Sequence, residues 1–538
     1  MQPYDIIVIG SGMGGLTFAS LMAQMAHKRV LVLEHHFKLG GFTHTFTRKG
    51  YTWDVGLHYV GGMNKGTSSR TMCDFVTHSA VKWHKLPGAF EQFVYPDFTF
   101  VVTDDPKEYL HDLIQQFPAE ETGLRRYFRD VRHVANWCAL ETWSWSSPGW
   151  LALPLRLAHM RQRTLALMTT KHYLDQRFAD ERLKALLTSQ WGDYGLPPDQ
   201  SAFAIHALVA NSYLQGAWYP EGSAKTIASS MVPIIEEAGG TCLVNHDVVE
   251  ILVENGSAKG VRVLEKRGKQ VEEKTLLAPL VVSDVGAYST LTKLLPEQVQ
   301  LPWRLREDLE HMPKGNAPVI LFVGLKESPV RLGFHGENHW IFSGYDHDNA
   351  QANGLRDGQA MSAYLSFPSL KDPSATQHTA EIISSVDDQT FFQWQNTTWK
   401  HRGEAYEQLK ADIGEALLSL VERHYPGFRE LVAYQEVATP LTFEGFAEQY
   451  HEGIYGLPAT PERFRRRWFG AQTPVRGLLL TGTDVCSLGI EGAMMGGAFT
   501  AGYALGPLGF LRVMSRAQVY SRTLHVRPVP ALSRKRVG

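Results

Sequence analysis

The stretch DIIVIGSGMGGLTFASLMAQMAHKRVLVLEHH, residues 5–36, has no charged side chain between Ile6 and Ala26. Such a run raises the question of a membrane span or a secretion signal, and its glycines answer it. Gly10, Gly12 and Gly15 stand in the spacing G-x-G-x-x-G. They follow Ile6-Ile7-Val8-Ile9, a β-branched run that suits a buried parallel strand. A helix-forming segment, LTFASLMAQMAHK, comes next, and RVLVLE then reads as a second buried strand ending in an acid. In such a strand–turn–helix the first glycine allows the tight turn. The second lets backbone approach a pyrophosphate, and the third lets helix pack on strand. The helix N-terminus offers free N–H groups to the phosphates. Glu34 follows Gly15 at close to the roughly 20-residue offset expected of a carboxylate that binds ribose hydroxyls. A secretion signal would need a basic leader, and only Asp5 is charged before the apolar run.

The bulk composition narrows the field further. A chain of 538 residues exceeds one ordinary core and predicts two or more domains. With 44% hydrophobic and 20% charged residues it is globular rather than disordered. A net charge of −2 gives no pull toward nucleic acid, so no nucleic-acid partner is expected. The four cysteines, Cys73, Cys138, Cys242 and Cys486, form no C-x-x-C pair. They fit a reducing, cytoplasmic setting. The pair His35-His36 has no partner at ligand spacing, and no metal site is expected. A second uncharged stretch, Gly492 to Leu511, contains six glycines and Pro507 after the strand-like GLLLTGTD. It reads as a soluble helix packed closely on backbone or cofactor.

Beyond Glu34, HHFKLGGFTHTF brings Gly40-Gly41, and GYTWDVGLHYVGG brings Asp54, His58 and Tyr59. Residues 218–263 predict a helix over about 224–238, Gly239-Gly240, a strand and a hairpin turn at Asn255-Gly256. Residues 477–505 predict a buried strand ending at Thr481-Gly482-Thr483-Asp484 and a glycine-rich helix starting near Gly492.

Taken together, GSGMGGL…VLVLE…LGG, YPEGS…VVEILVENG…GV and TGTD…GIEGAMMGGAFTAG resemble the phytoene desaturase, carotenoid isomerase and retinol saturase family of FAD-dependent oxidoreductases. DVGLHYVGGM is most similar to the retinol saturase and carotenoid isomerase branch. The resemblance implies an α/β fold with a Rossmann-like FAD-binding domain of glutathione-reductase type. That domain would be assembled from residues 1–70, 215–290 and 470–510. Residues 71–215 would form a helical insert, a candidate for membrane contact on its own composition, residues 291–469 a mixed-sheet substrate domain, and residues 511–538 a basic tail.

The resemblance also assigns roles. Gly10, Gly12, Gly14 and Gly15, with Met13 beside them, would line the pyrophosphate. Glu34 would hold the adenosine ribose, next to His35. Gly40 and Gly41 would approach the ribityl chain, and Val248 would meet the adenine through its backbone. Asp484, next to Gly482, would contact the ribityl–pyrophosphate link. Gly492, Ala493 and Met494 would aim a helix N-terminus at the flavin N1–C2 carbonyl edge, where reduced flavin gathers negative charge. A helix dipole there contributes about 0.3–2 kcal/mol. Phe42 stands where many relatives carry a basic residue. His58, Tyr59 and Glu491 are the candidates for a proton donor or a polar anchor of the substrate.

The implied chemistry is oxidation, reduction or redox-assisted isomerisation of C–C bonds in a lipophilic polyene. No second G-x-G-x-x-G occurs, so electrons are expected from a diffusible donor or acceptor, a quinone or a partner protein. Competing readings are a fatty-acyl desaturase, a flavin amine oxidase and a prenyl-lipid escort protein. A membrane surface is a candidate partner on two grounds. Trp137, Trp143, Trp145 and Trp150 precede Leu151, Leu153, Leu155 and Leu157 with Arg156, Arg161 and Arg163 close by, a pattern that suits either a membrane interface or a buried aromatic cluster capped by surface arginines. The tail after Leu511 carries seven Lys or Arg and no acid, which suits either a solvated disordered end or an anchor for anionic lipid. In the 291–440 segment APVILFVGL, MSAYLSF and TFFQWQ predict strands, and GEAYEQLKADIGEALLSLVERHYPG predicts a helix.

Overall fold

The computed structural model describes residues 4–145, 159–312, 317–352, 354–356, 358–447, 455–466 and 470–524. The glycine turn lies at the centre of a five-stranded parallel sheet. Its order is Leu478–Leu480, Leu280–Ser283, Ile6–Ile9, Val30–Leu33, Thr241–Leu243. Every residue of the Ile6–Ile9 and Val30–Leu33 strands is buried, as their uninterrupted apolar sequences require of strands covered on both faces. Helix Met13–Ala26 packs between helices Lys225–Glu237 and Gly489–Ala504. Remote parts of the chain thus meet around one turn.

A three-stranded antiparallel sheet, His246–Glu254, Ser257–Arg267 and Gln270–Leu277, stands beside it. Its first hairpin turns at Asn255 and Gly256, both at positive φ (50° and 71°), the backbone that a two-residue right-twisted hairpin needs.

The second layer is a seven-stranded mixed sheet. Its order is Val432–Ala438, Ala317–Leu325, His378–Val386, Ser362–Ser366, Asn338–Phe342, Ala89–Val94, Thr99–Thr103. Helix Glu404–His424 covers it, burying Tyr406, Ile413, Leu417, Leu420 and Val421 in the same core as Val319, Leu321 and Val323.

Three expectations require correction. The segment 71–215 is not purely helical, because Ala89–Val94 and Thr99–Thr103 extend the second sheet. TFFQWQ lies within a 3₁₀ segment, Asp388–Trp394. The Asp387 side chain accepts the amide of Gln389 there, and such local capping outcompetes the strand ladder. Of the basic tail, residues Gly509–Leu524 form a helix that buries Val513 and Ala517 against the first core. Its described basic residues are therefore on an ordered element.

Among the described residues no helix is long and apolar enough to cross a membrane. Trp137 is 2% exposed and belongs to the core, within helix Glu121–Trp145. It shares that core with Leu124, Val131 and Val134 of the same helix, so the ring is used internally. Trp150, Leu151, Leu153, Leu155, Arg156 and Leu157 lie outside the described residues, as do Arg527, Arg534, Lys535 and Arg536.

Candidate active site

A cavity of about 780 Å³ runs between the two sheets. At one end it is lined by the glycine turn: Gly10, Ser11, Gly12, Met13 and Gly14. Gly10 has φ +89°, a conformation that only glycine adopts readily. Gly12 is the N-cap of the first helix and supplies no side-chain cap, which leaves the first-turn amides to other partners; the Gly15 amide meets the Asp284 carboxyl. A methyl on Gly14 would collide with the backbone of Gly482, so this turn and the Thr481–Asp484 turn are pressed together.

Glu34 lines the same end and is 6% exposed. Its Oε2 accepts from Ser11 N (2.9 Å) and Ser11 Oγ (2.6 Å), and Oε1 accepts from His36 N (2.9 Å). Gly40 donates its N–H to Ser11 Oγ at 3.0 Å, which holds the Gly40-Gly41 segment across the turn. His35, Gly40, Gly41, Phe42 and Val248 all line the cavity.

Asp284 also lines it, and sequence reading gave no sign of this residue. Its carboxyl lies against Gly12, Gly14 and Gly15. Burial pushes its pKa up to about 8, and Glu34 and Asp484 add to the shift while the Gly15 N–H opposes it. A carboxyl that is neutral at pH 7 sets no like charge against a bound pyrophosphate. A helix start without a side-chain cap, a glycine cradle, a buried acid after the second strand and a neutral neighbour together fit a dinucleotide.

The helix of the third segment starts at Gly489, three residues before the position expected from Gly492. Gly489, Ile490 and Ala493 line the cavity, whereas Gly492 and Met494 are buried behind it. Gly15, Gly482 and Asp484 are likewise behind the lining. Asp484 is 3% exposed and is held by backbone amides, Oδ1 by Leu457 N (2.9 Å) and Oδ2 by Ala287 N (2.7 Å). It therefore fastens three segments of the cavity wall together. Buried Arg463 completes that fastening, donating to the Leu457 carbonyl and to Thr483 O (2.6 Å).

Beyond the turn the cavity becomes apolar and aromatic. Phe42, Phe46, Ile320, Phe322, Ala438 and Phe443 form one wall, so the residue standing in place of a basic one joins a hydrophobic surface. His58, Trp340 and Tyr364 line the opposite region. His58 Nδ1 is 2.6 Å from the buried Glu381 Oε2. Tyr59 is not at the lining. Its hydroxyl donates to Asp193 Oδ2 at 2.6 Å. Asp193 itself lines the cavity, a second residue that sequence reading missed. Glu491 points elsewhere, accepting from Ser69 Oγ beside Gly62.

A parallel sheet with a glycine turn at its centre, opening onto an apolar second chamber, defines a dinucleotide-dependent oxidoreductase. Residues 8–76 match the NAD(P)-binding Rossmann-like domain family. The chain is 33% identical over 531 residues to the all-trans-retinol 13,14-reductase of Danio rerio, covering 93% of this chain and 86% of that protein. It is 26% identical over 533 residues to prolycopene isomerase 2 of an Oncidium hybrid, covering 95% and 85%. A putrescine oxidase variant redesigned in its cofactor binding shares the fold, with a TM-score of 0.63 at 16% identity over 93% of this chain and 98% of the other. The chain belongs to the phytoene desaturase, carotenoid isomerase and retinol saturase family of oxidoreductases.

Proposed function

We propose that this chain binds FAD in an extended pose and carries out redox chemistry on a C–C double bond of a retinoid- or carotenoid-like polyene. One observation carries the reading: a single cavity joins the glycine turn, which suits a dinucleotide, to a region walled by aromatic and aliphatic side chains that suits an isoprenoid chain. The named activities of the two relatives support the polyene. In this reading Gly10, Gly12, Met13 and Gly14 face the pyrophosphate, Glu34 and His35 the adenosine ribose, and Val248 the adenine. Gly40, Gly41 and Phe42 run beside the ribityl chain. The N-terminus of helix Gly489–Ala504, through Ala493, faces the flavin ring. Bound flavin supplies hydride chemistry. The residues of this chain orient the polyene, exclude water and hold protons.

Phe322 and Phe443, buried, and Phe42 and Phe46, half-buried, offer apolar carbon a surface worth roughly 25 cal/mol per Å² covered. Arg48, paired with Glu436 at 3.7 Å, lies over the Phe46 ring at 5.5 Å and gives this wall one charged edge. Electrons reach the flavin from a diffusible donor, since one dinucleotide turn serves one dinucleotide.

The purified protein is expected to be yellow, with FAD released on denaturation. After anaerobic reduction with dithionite, all-trans-retinol or prolycopene should return the flavin bands. A colourless protein that takes up no FAD would overturn the cofactor. A yellow protein that neither polyene reoxidises or isomerises would overturn the substrate.

A further inference from the structure

We propose that Asp193 is the acid that protonates a polyene carbon while a hydride is added to its neighbour, which makes this site a C=C reductase. The inference rests on the function proposed above and names a group that the glycine-turn motifs do not reach.

Asp193 lies in the 3₁₀ segment Ser189–Tyr194. Gly192 lets that segment press on the indole of Trp340: a methyl there would come to 2.9 Å from Cζ3. The close approach brings the Asp193 carboxyl to the cavity wall, near Tyr364. One oxygen is fixed, since Oδ2 accepts the Tyr59 hydroxyl at 2.6 Å. Tyr59 is held in turn by stacking on Tyr213 at 4.5 Å between ring centroids. Oδ1 has no hydrogen-bond partner among the described residues, yet it is not among their enclosed, partnerless polar atoms. It therefore opens into the cavity. Because Oδ2 is already receiving a proton donor, the carboxyl hydrogen belongs on Oδ1, aimed at the substrate chamber.

The surroundings favour the neutral acid. Burial, helped by the nearby carboxyl of Glu91, raises Asp193 to about 8 against the opposing pull of the Tyr59 hydrogen bond and Lys371. Glu91 is itself pushed up to about 7 by burial. It accepts from Gln190 Nε2 (2.7 Å) and Trp340 Nε1 (3.1 Å). Tyr213, Tyr364, Tyr194 and Tyr455 are the other titratable groups that feel Asp193, all uncharged near neutrality. Lys371 is the one facing cation, and burial brings it down to about 7. His58, the other polar side chain at this point of the lining, is committed through Nδ1 to Glu381 and serves as an anchor.

The balance of the step is simple. Turning C=C into CH–CH takes one hydride and one proton. The hydride comes with its electron pair from reduced flavin, which is thereby oxidised. The O–H bond at Asp193 Oδ1 breaks, its proton forms the C–H bond at the adjacent carbon, and the O–H electrons remain on the carboxylate. Water entering as product leaves restores the proton.

The test uses the holoenzyme with all-trans-retinol as probe, and the variants Asp193→Asn and Asp193→Glu. Asp193→Asn should keep the parent's FAD content and slow reoxidation of dithionite-reduced enzyme by about 10²-fold or more, the range of a lost general acid. Its KM should change little, and Asp193→Glu should recover part of the rate. The parent rate should fall as pH rises through the titration of the acid, and Asp193→Asn should show no such limb. Infrared spectra of the apoprotein give a readout free of turnover. At pH 6 the parent-minus-Asn difference should contain a carboxylic-acid carbonyl band that disappears on raising the pH. A parent-like rate in Asp193→Asn, or a difference spectrum with only ionised carboxylate at pH 6, overturns the assignment while leaving the proposed function intact. A parent enzyme that isomerises a polyene without reducing it overturns the assignment alone, and one that neither reduces nor isomerises retinol or prolycopene overturns both.

Discussion

At the scale of single residues, the site depends on backbone approaching backbone. Gly14 meets Gly482, a contact that a methyl group cannot share because neither side is a flexible side chain. Gly14→Ala is expected to part the two turns that shape the pyrophosphate end, at an overpacking cost of about 1–3 kcal/mol. Flavin absorbance per protein after reconstitution should drop several-fold, and the melting temperature should fall. Gly344→Ala is the matched control, since a methyl there meets nothing within 4 Å and the backbone is not left-handed; it should change neither. Equal FAD content in the two variants would refute the account of the turn. Gly10, Gly12 and Gly15 stood out by their spacing along the chain, whereas Gly14 and Gly482 were singled out only through the family resemblance. Asp193 and Asp284 stood out in neither way. Asp193 acquires its role from Tyr59, 134 positions earlier, and Asp284 from a parallel pairing between Leu280–Ser283 and Ile6–Ile9. Neither carries a local pattern. Asp484 stood out in sequence but serves as a staple, because backbone amides from two other segments reach its oxygens first.

At the scale of elements, strands, helices and turns near the glycine motif followed the rules of apolar run and punctuation. The 218–263 segment did so too: the helix runs Lys225–Glu237 and the hairpin turns at Asn255-Gly256. Legibility failed where an element's character is set by distant partners. Ala89–Val94 buries Glu91 completely, a residue that argues against a core strand until Gln190 and Trp340 are seen to satisfy it. Asp54 gives a testable example of such an element-level bond. It ends the strand Tyr51–Asp54, accepts Ala224 N at 2.9 Å and accepts the hydroxyl of Tyr219 from strand Trp218–Pro220. One carboxyl thus ties a hairpin, a short strand and the start of helix Lys225–Glu237. Tyr219→Phe leaves that buried oxygen short of a partner and should cost about 1–3 kcal/mol. Chemical denaturation should show a lower midpoint at unchanged slope. A midpoint equal to the parent's would remove Asp54 from the list of structural ties.

At the scale of the whole molecule, the charges kept inside set the pH at which the apoprotein is most stable. Burial lifts Asp54 and Glu91 to about 7 and Asp193 and Asp284 to about 8, from ordinary values of 3.8 and 4.5. The folded state therefore binds these protons more tightly than the unfolded state, and stability falls as pH rises from about 4 toward 8. Buried histidines act in the opposite sense. His36 and His347 are lowered to about 4 and His206 to about 3, so the stability they contribute is lost as pH falls below 6.5. Lys371, lowered to about 7, adds stability only as pH climbs from there toward 10.5. Below pH 6.5 the carboxyls and histidines offset one another. Between 6.5 and 8 four carboxyls face one lysine, and each unmatched proton is worth about 1.4 kcal/mol per pH unit. The apoprotein should thus be less stable at pH 8 than at pH 6.5 by on the order of 2 kcal/mol. Asp193→Asn removes one of the four acids and should flatten the slope. Thermal melts across pH 5–9 decide it: a parent curve that is level or rising from 6.5 to 8 would mean that these carboxyls are already ionised in the fold.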